Sequence, residues 1–242
     1  MPDDSRISDN VEMLTCFGLT RQEAKIYLLL LTEGEQSGYE AAKRAGISRS
    51  NAYGALAALV DKGAAYMLEE QSVRYQAVPV KEFCANKIHF LTETAQLLEQ
   101  KIPREVHREE HYITIRGRRN VEDKIRNMLA QTEERVYLFA SAGVAEQFRE
   151  ELTTLAERRC KVVLLTDAPV EMEGVIQYRA AHAGDSIRLI TDSSYALTGE
   201  LGGESHTACL YSANLNLVQL LKDALANEIQ LNLLRKEDGV FA

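Results

Sequence analysis

Between Thr20 and Gly63 the sequence carries three helix-start signals, each followed by a glycine stop, and nothing else in the 242-residue chain limits its fold as strongly. Thr20-Arg-Gln-Glu23 and Ser37-Gly-Tyr-Glu40 are capping boxes. In each, the cap hydroxyl accepts from the backbone N–H three residues on, and the glutamate there accepts from the cap's own N–H. After Thr20 the apolar residues Ala24, Tyr27, Leu28 and Leu31 recur at i, i+3, i+4 and i+7, one helical face, and Gly34 ends the run. After Ser37 a short helix through Ala41, Ala42 and Ala45 stops at Gly46. Ser48 then caps a third helix burying Ala52, Leu56, Leu59 and Val60, with Gly63 at its end. Two short helices joined at Gly46-Ile47-Ser48 have the spacing of a helix-turn-helix. Ala64–Leu68 and Val73–Val78 flank a polar turn at Glu69–Ser72 and are closed by Pro79, a β-hairpin pattern. Three helices and a hairpin predict a winged helix over residues 1–79. Such a unit either reads DNA or serves only as a protein-interaction module.

From Val80 to about Glu110 there is no glycine, and Cys84, Ile88, Leu91, Ala95, Leu98 and Ile102 step by four, three, four, three and four. That spacing is an a/d seam, interrupted at Pro103. It predicts a helical linker over 80–110 that either dimerises as a coiled coil or packs on its own chain. Residues 111–242 alternate. Strands are expected at Tyr112–Arg116, Arg135–Ala140, Lys161–Thr166, Gly174–Tyr178, Ile187–Thr191 and Ala208–Tyr211, and helices at Asn120–Gln131, Ala145–Arg158 and Leu215–Asn227. Alternation of this kind is α/β. The expected fold class is therefore a two-domain α+β and α/β chain: N-terminal winged helix-turn-helix, helical coiled-coil linker, C-terminal α/β domain.

Composition removes other classes. With 45% hydrophobic and 26% charged residues the chain reads as globular. No stretch approaches the roughly 20 apolar residues of a membrane span, and the acidic start Met-Pro-Asp-Asp-Ser is not a secretory leader. A cytoplasmic protein is expected. Cys16, Cys84, Cys160 and Cys209 are too scattered for a zinc site or disulfide framework. The five histidines complete no ligand spacing, so neither a metal nor a cofactor is expected. The net charge of −8 argues against a protein that coats nucleic acid. Divided, it says more. From Thr20 to Val80 seven Lys/Arg balance seven Asp/Glu, so this core of the winged helix is neutral, and the N-terminal stretch, the linker and the second domain carry the excess. Base contacts rather than bulk charge must then supply affinity.

The string Phe17-Gly-Leu-Thr20, Glu23-Ala-Lys25, Tyr27, Ile47-Ser-Arg-Ser50, Tyr53, Leu56, Leu59, Lys62-Gly63 and Arg74-Tyr-Gln-Ala-Val-Pro79 resembles the TrmB-like transcriptional regulators over Leu14–Pro79. Ile115-Arg-Gly117, Asn120-Val121 and the strand ending at Ala140 are similar to the opening of that family's second domain. The resemblance implies a helical dimerisation linker, a phospholipase-D-like α/β domain, operator DNA as partner and a small-molecule, sugar-like effector. At this length the extra C-terminal sugar-binding domain of longer members is not expected. Asn51 and Gly54 stand where the family more often has larger or charged residues, so base preference is not carried over.

In a winged helix the third helix enters the major groove and its N-terminal residues reach base edges. Here these are Ser48, Arg49, Ser50 and Asn51, with Tyr53 one turn on. Arginine suits guanine and asparagine suits adenine, while Ser48 and the helix start can hold a phosphate through backbone N–H groups. Lys62 and Arg74 are candidate phosphate contacts or ordinary solvated charges. For the second domain, phospholipase-D-like catalysis needs a nucleophilic His and a Lys in a His-x-Lys-x4-Asp register. Placing Asp192 at its end puts Asp185 and Ile187 in those positions, and starting from His182 or His206 puts Gly184 or Ala208 at the Lys position. A non-catalytic sensor is expected. Asp185, Asp192, Ser193 and Glu200, beside the turn Gly199–Gly203, are candidate effector contacts or plain hairpin turns. The basic cluster Arg116, Arg118 and Arg119 is either an anion site or a solvated helix start. The reading is a homodimeric, sequence-specific DNA-binding regulator, with a protein-interaction adaptor second and a phosphodiesterase third.

Overall fold

A computed structural model describes residues 4–69, 72–102, 111–180, 184–203 and 207–237. The chain divides into two compact units, Met1–Glu105 and Val106–Ala242. In the first, α1 (Asp4–Cys16) precedes α2 (Arg21–Glu33), β1 (Gln36–Ser37), α3 (Gly38–Ala45), α4 (Arg49–Asp61), β2 (Ala65–Glu69), β3 (Val73–Ala77) and α5 (Val80–Lys101). Both capping boxes form as expected. Thr20 and Ser37 accept from the Glu23 and Glu40 backbone N–H groups, and the two glutamates accept in return. Ser48 caps α4 through the Asn51 N–H, and Gly46 ends α3 in the left-handed region at φ 66°.

The buried face of α2 is rotated from the expected one. Ala24 and Tyr27 are buried as read, but Ile26 and Leu30 replace Leu28 and Leu31, which are only partly covered. Tyr27 explains the setting. Its hydroxyl donates to the Val78 carbonyl at 2.7 Å, its ring lies 5.6 Å from that of Phe83, and burial pushes its pKa up to about 12. The ring therefore joins α2 to the hairpin exit and to the first turn of α5 in one core. The hairpin gains a third strand unforeseen in the sequence: β1 pairs antiparallel with β3, giving the order β1-β3-β2.

Beyond Phe83 and Cys84, α5 leaves that core. Ile88, Leu91, Leu98 and Ile102 are each more than half exposed, so the seam is not packed on the first unit. The helix ends at Lys101. Pro103 and the rest of the expected linker to Glu110 lie outside the described residues.

The second unit contains β4 (Ile113–Arg116), α6 (Arg118–Ala130), β5 (Arg135–Phe139), α7 (Ala142–Gln147), α8 (Arg149–Glu157), β6 (Lys161–Thr166), β7 (Ile176–Arg179), β8 (Ser186–Thr191), β9 (Tyr195–Glu200), β10 (Ala208–Ser212) and α9 (Leu215–Glu237). Its seven strands run β4-β10-β9-β8-β5-β6-β7, with β5, β6 and β7 parallel and the remaining pairs antiparallel. One face packs α6, α7 and α8 around Val136, Leu138, Leu164, Leu189 and Leu197. The other takes Val218, Leu221 and Leu225 of α9 against Val163, Ile190 and Ala196.

Two expectations are corrected here. The single helix over Ala145–Arg158 is two, broken at Phe148, which is fully buried. Gly199 and Glu200 belong to a central strand rather than to a turn. A Cβ at Gly199 would sit 2.2 Å from the Ala208 carbonyl oxygen, so this strand position accepts glycine because the neighbouring backbone comes close.

Candidate nucleic-acid interface

The helix-turn-helix brings the first turns of α3 and α4 together on one exposed surface. On α4, Ala52, Ala55, Leu56 and Leu59 face the core. The 3.6-residue period therefore turns Arg49, Ser50, Asn51, Tyr53 and Gly54 outward, and all five are exposed. Ser48 is exposed as well, with its hydroxyl committed to the cap at 3.2 Å from the Asn51 nitrogen. Six adjacent positions thus form one patch at the amino end of the helix.

Two contacts with α3 order this patch. The Arg49 guanidinium sits 4.6 Å from the centroid of the Tyr39 ring. The Tyr53 ring lies against Gly38, where a Cβ would fall 2.3 Å from the tyrosine Cε1. Neither Tyr39 nor Gly38 was singled out in the sequence beyond its capping box. The available signal was an aromatic two residues after the cap, off the Ala41–Ala42 face.

Electrostatics single out Arg49 further. Arg21 pairs with Glu12, Arg44 with Glu33, Lys62 with Glu23 and Arg74 with Glu35. Among the described residues Lys25, Lys43 and Arg49 have no ion pair. Arg49 also stands at the first position of a helix whose first turn holds no acid. A cation there opposes the positive end of the helix dipole. Such a residue costs helix stability, which fits recruitment for a contact outside the protein.

Lys62 and Arg74 are removed from the patch. The Lys62 ammonium donates to Glu23 Oε2 at 2.6 Å and to the Gly18 carbonyl at 2.8 Å, at the far end of α4. Burial pushes the Glu23 carboxyl up, but Lys62 and the Thr20 N–H outweigh it and hold the group below the usual carboxylate range. Arg74 donates to the Glu35 carbonyl at 3.1 Å. Its Nε lies within ion-pair distance of the Glu35 carboxylate without hydrogen-bond alignment, and Glu40 is 3.5 Å from another nitrogen. Both cations are spent inside the unit. The wing turn adds Glu69, with Glu70 and Gln71 outside the described residues.

In the second unit the four candidate effector residues do not converge. Ser186 pairs with Glu200 at one end of the β8–β9 hairpin and Thr191 with Tyr195 at the other. At about 3.3 Å per residue the Ser186–Thr191 strand alone spans roughly 17 Å, with Asp185 and Glu200 at or beyond one end and Asp192 and Ser193 beyond the other. Asp192 and Ser193 form a left-handed turn at φ 49° and 56°, closed by the Ser194 N–H donating to the Thr191 carbonyl. The Asp192 carboxylate accepts from the backbone N–H groups of Glu133, Glu134 and Arg135, each at 2.9 Å. Burial raises its pKa, but those three donors and the Arg135 charge outweigh burial and hold it below the usual range. It fastens the start of β5. Ile187, at the catalytic lysine position, is fully buried, and His182 and His206 lie outside the described residues. Arg118 is engaged by Glu122 and Gln147, which dissolves the basic cluster.

A stability consequence follows for Asp192. Its contribution is complete above the ordinary aspartate range near pH 4 and is lost as pH falls through its lowered folded value. Asp192→Asn should destabilise the second unit by about 1 kcal/mol at pH 7, a charge-assisted network discounted for exposure. Thermal melts should show that difference shrinking below about pH 4; a difference independent of pH would contradict the assignment.

Helices α2, α3 and α4 with a three-stranded wing, and an exposed α4, define a winged helix-turn-helix protein with an added α/β unit. Residues 14–81 match the family model described as sugar-specific transcriptional regulator TrmB, and residues 112–225 that described as transcriptional regulator TrmB, EBD N-terminal subdomain. The chain belongs to the TrmB-like family of transcriptional regulators. It is 27% identical over 160 residues to the uncharacterized protein YrhO of Bacillus subtilis (strain 168), an alignment covering 64% of this chain and 58% of that protein. Among solved structures, TrmBL2, an archaeal chromatin protein, matches with TM-score 0.43 and 17% identity over 92% of this chain and 97% of that one. NucT from Helicobacter pylori matches with TM-score 0.40 and 9% identity over 50% and 97%. No helix among the described residues is long and apolar enough to cross a membrane.

Proposed function

We propose that this chain is a sequence-specific DNA-binding regulator that acts as a homodimer, with Ser48, Arg49, Ser50, Asn51 and Tyr53 of α4 and its cap reading base edges in the major groove. The observation that carries this is the exposed amino end of α4, bearing an arginine with no ion pair among the described residues. The division of labour follows the sequence: winged helix over 1–79, linker over 80–110, and a non-catalytic sensor or dimerisation domain over 111–242. Two recognition helices on a dimer address half-sites about 34–36 Å apart on a pseudo-palindromic operator. Any effector acts by favouring one relative setting of the two heads. A DNA-reading role belongs with the chromosome, in the cytoplasm.

The test is a salt titration on a duplex recovered by selecting random sequences against the full chain. Affinity should fall with a log–log slope of about −0.9 per phosphate neutralised, and a selected sequence should outcompete random DNA. Binding without a salt slope, or recovery of no preferred sequence, would favour the protein-interaction adaptor. Release of product from a generic phosphodiester by the pure chain would revive the enzyme reading.

A further inference from the structure

We propose that Tyr39, at the start of α3, is a positioning residue for base readout: its ring is a shelf that presents the Arg49 guanidinium edge-on to a guanine. The inference rests on the DNA-binding reading above and extends it to a residue outside the recognition helix. Three observations carry it. The guanidinium lies 4.6 Å from the Tyr39 ring centroid, within stacking distance of an aromatic face. Among the described residues Arg49 makes no hydrogen bond or ion pair, so its five N–H donors are uncommitted. Tyr39 is itself 51% exposed, so its ring is not held there by the core.

The chemistry of the pair explains the arrangement. Contact with a ring uses the π face of a guanidinium, whereas bidentate recognition of guanine O6 and N7 uses its N–H edge. A carboxylate partner would occupy that edge, as Glu146 does for Arg149. An aromatic partner restricts the rotamers of a long side chain and leaves its donors free. The cost of ordering the side chain is then met within the free protein rather than on binding. Gly38 and Tyr53 repeat the device one residue earlier on α3, where the missing Cβ lets the second ring seat against the backbone. The first turn of α3 thereby sets two outward side chains of α4 before DNA arrives.

The experiment uses the full chain, a duplex selected on the wild-type protein, and variants of that duplex with each base pair of one half-site replaced. Arg49→Ala first identifies the base pair that Arg49 reads, as the position where preference disappears. At that position Tyr39→Leu should reduce the preference about two- to fivefold, the strength of an exposed cation–π contact. Tyr39→Phe, which keeps the ring, should retain it. In the Arg49→Ala background Tyr39→Leu should have no further effect there. The proposal is overturned if Tyr39→Leu leaves the preference intact or weakens all sequences equally, or if Tyr39→Phe loses as much as Tyr39→Leu. If the wild-type chain selects no sequence, the DNA-binding reading itself fails and the shelf falls with it. If DNA is selected but Arg49→Ala abolishes no single-base preference, the shelf alone fails.

Discussion

Arg49→Ala should weaken binding to the selected operator by about thirtyfold to twenty-thousandfold while leaving thermal stability within about 0.5 kcal/mol of the parent. A bidentate arginine–guanine contact contributes about 1–3 kcal/mol of discrimination. In a two-headed complex the loss occurs at both half-sites, giving about 2–6 kcal/mol if they act independently. The stability side is a near balance. Removing a cation from the helix N-terminus relieves about 0.3–1 kcal/mol, and losing the contact with Tyr39 costs about 0.5–1 kcal/mol. Anisotropy titrations beside circular-dichroism melts separate the two. Unchanged operator affinity would remove Arg49 from the interface, and a matched fall in affinity and melting temperature would make it a folding residue.

The second large effect is expected along α5. Leu91 and Leu98 are both 51% exposed on the helix that leaves the winged-helix core. Exposed leucines at heptad spacing are stable in water when another helix covers them. On the proposed homodimer, Leu91→Glu with Leu98→Glu should leave only monomer in sedimentation runs. Operator affinity should fall about 10²- to 10⁴-fold as two linked heads become independent. The winged helix should melt as before, because its buried core contains neither residue. A variant that remains dimeric would assign the interface to the second unit instead.

What was legible in the sequence was whatever depends on near neighbours along the chain. The caps at Thr20, Ser37 and Ser48, the glycine stops and the β6 strand Lys161–Thr166 all follow from local chemistry, and the structure has them where the sequence puts them. Features set by distant partners were not. The ion pair of Lys62 spans 39 residues and that of Arg74 also 39, so neither could be distinguished from a free surface charge. The end of strand β9 read as a turn because Gly199 and Glu200 open the glycine-rich run Gly199–Gly203. The glycine answers to a carbonyl on β10, a contact that exists only in the folded sheet. Helix α1, with Val11 and Leu14 buried, has no counterpart among the helices expected from the sequence, the first of which starts after Thr20. Helix α9 runs ten residues beyond Asn227 because nothing in that stretch stops it. For the interface, the sequence indicated the reading turn of α4 but not the ring and the glycine of α3 that order it.

The internal pairing of Arg21, Arg44, Lys62 and Arg74 has a kinetic consequence. Sliding along a duplex depends on a loose counter-ion attraction that survives when the bases are wrong. With only Lys25, Lys43 and Arg49 unpaired among the described cations of the winged helix, that attraction is small. Under the proposed operator reading, a regulator built this way should find its site mainly by repeated encounters from solution. Its occupancy then tracks its own concentration and the number of true sites, and the bulk of the genome takes up little of the pool.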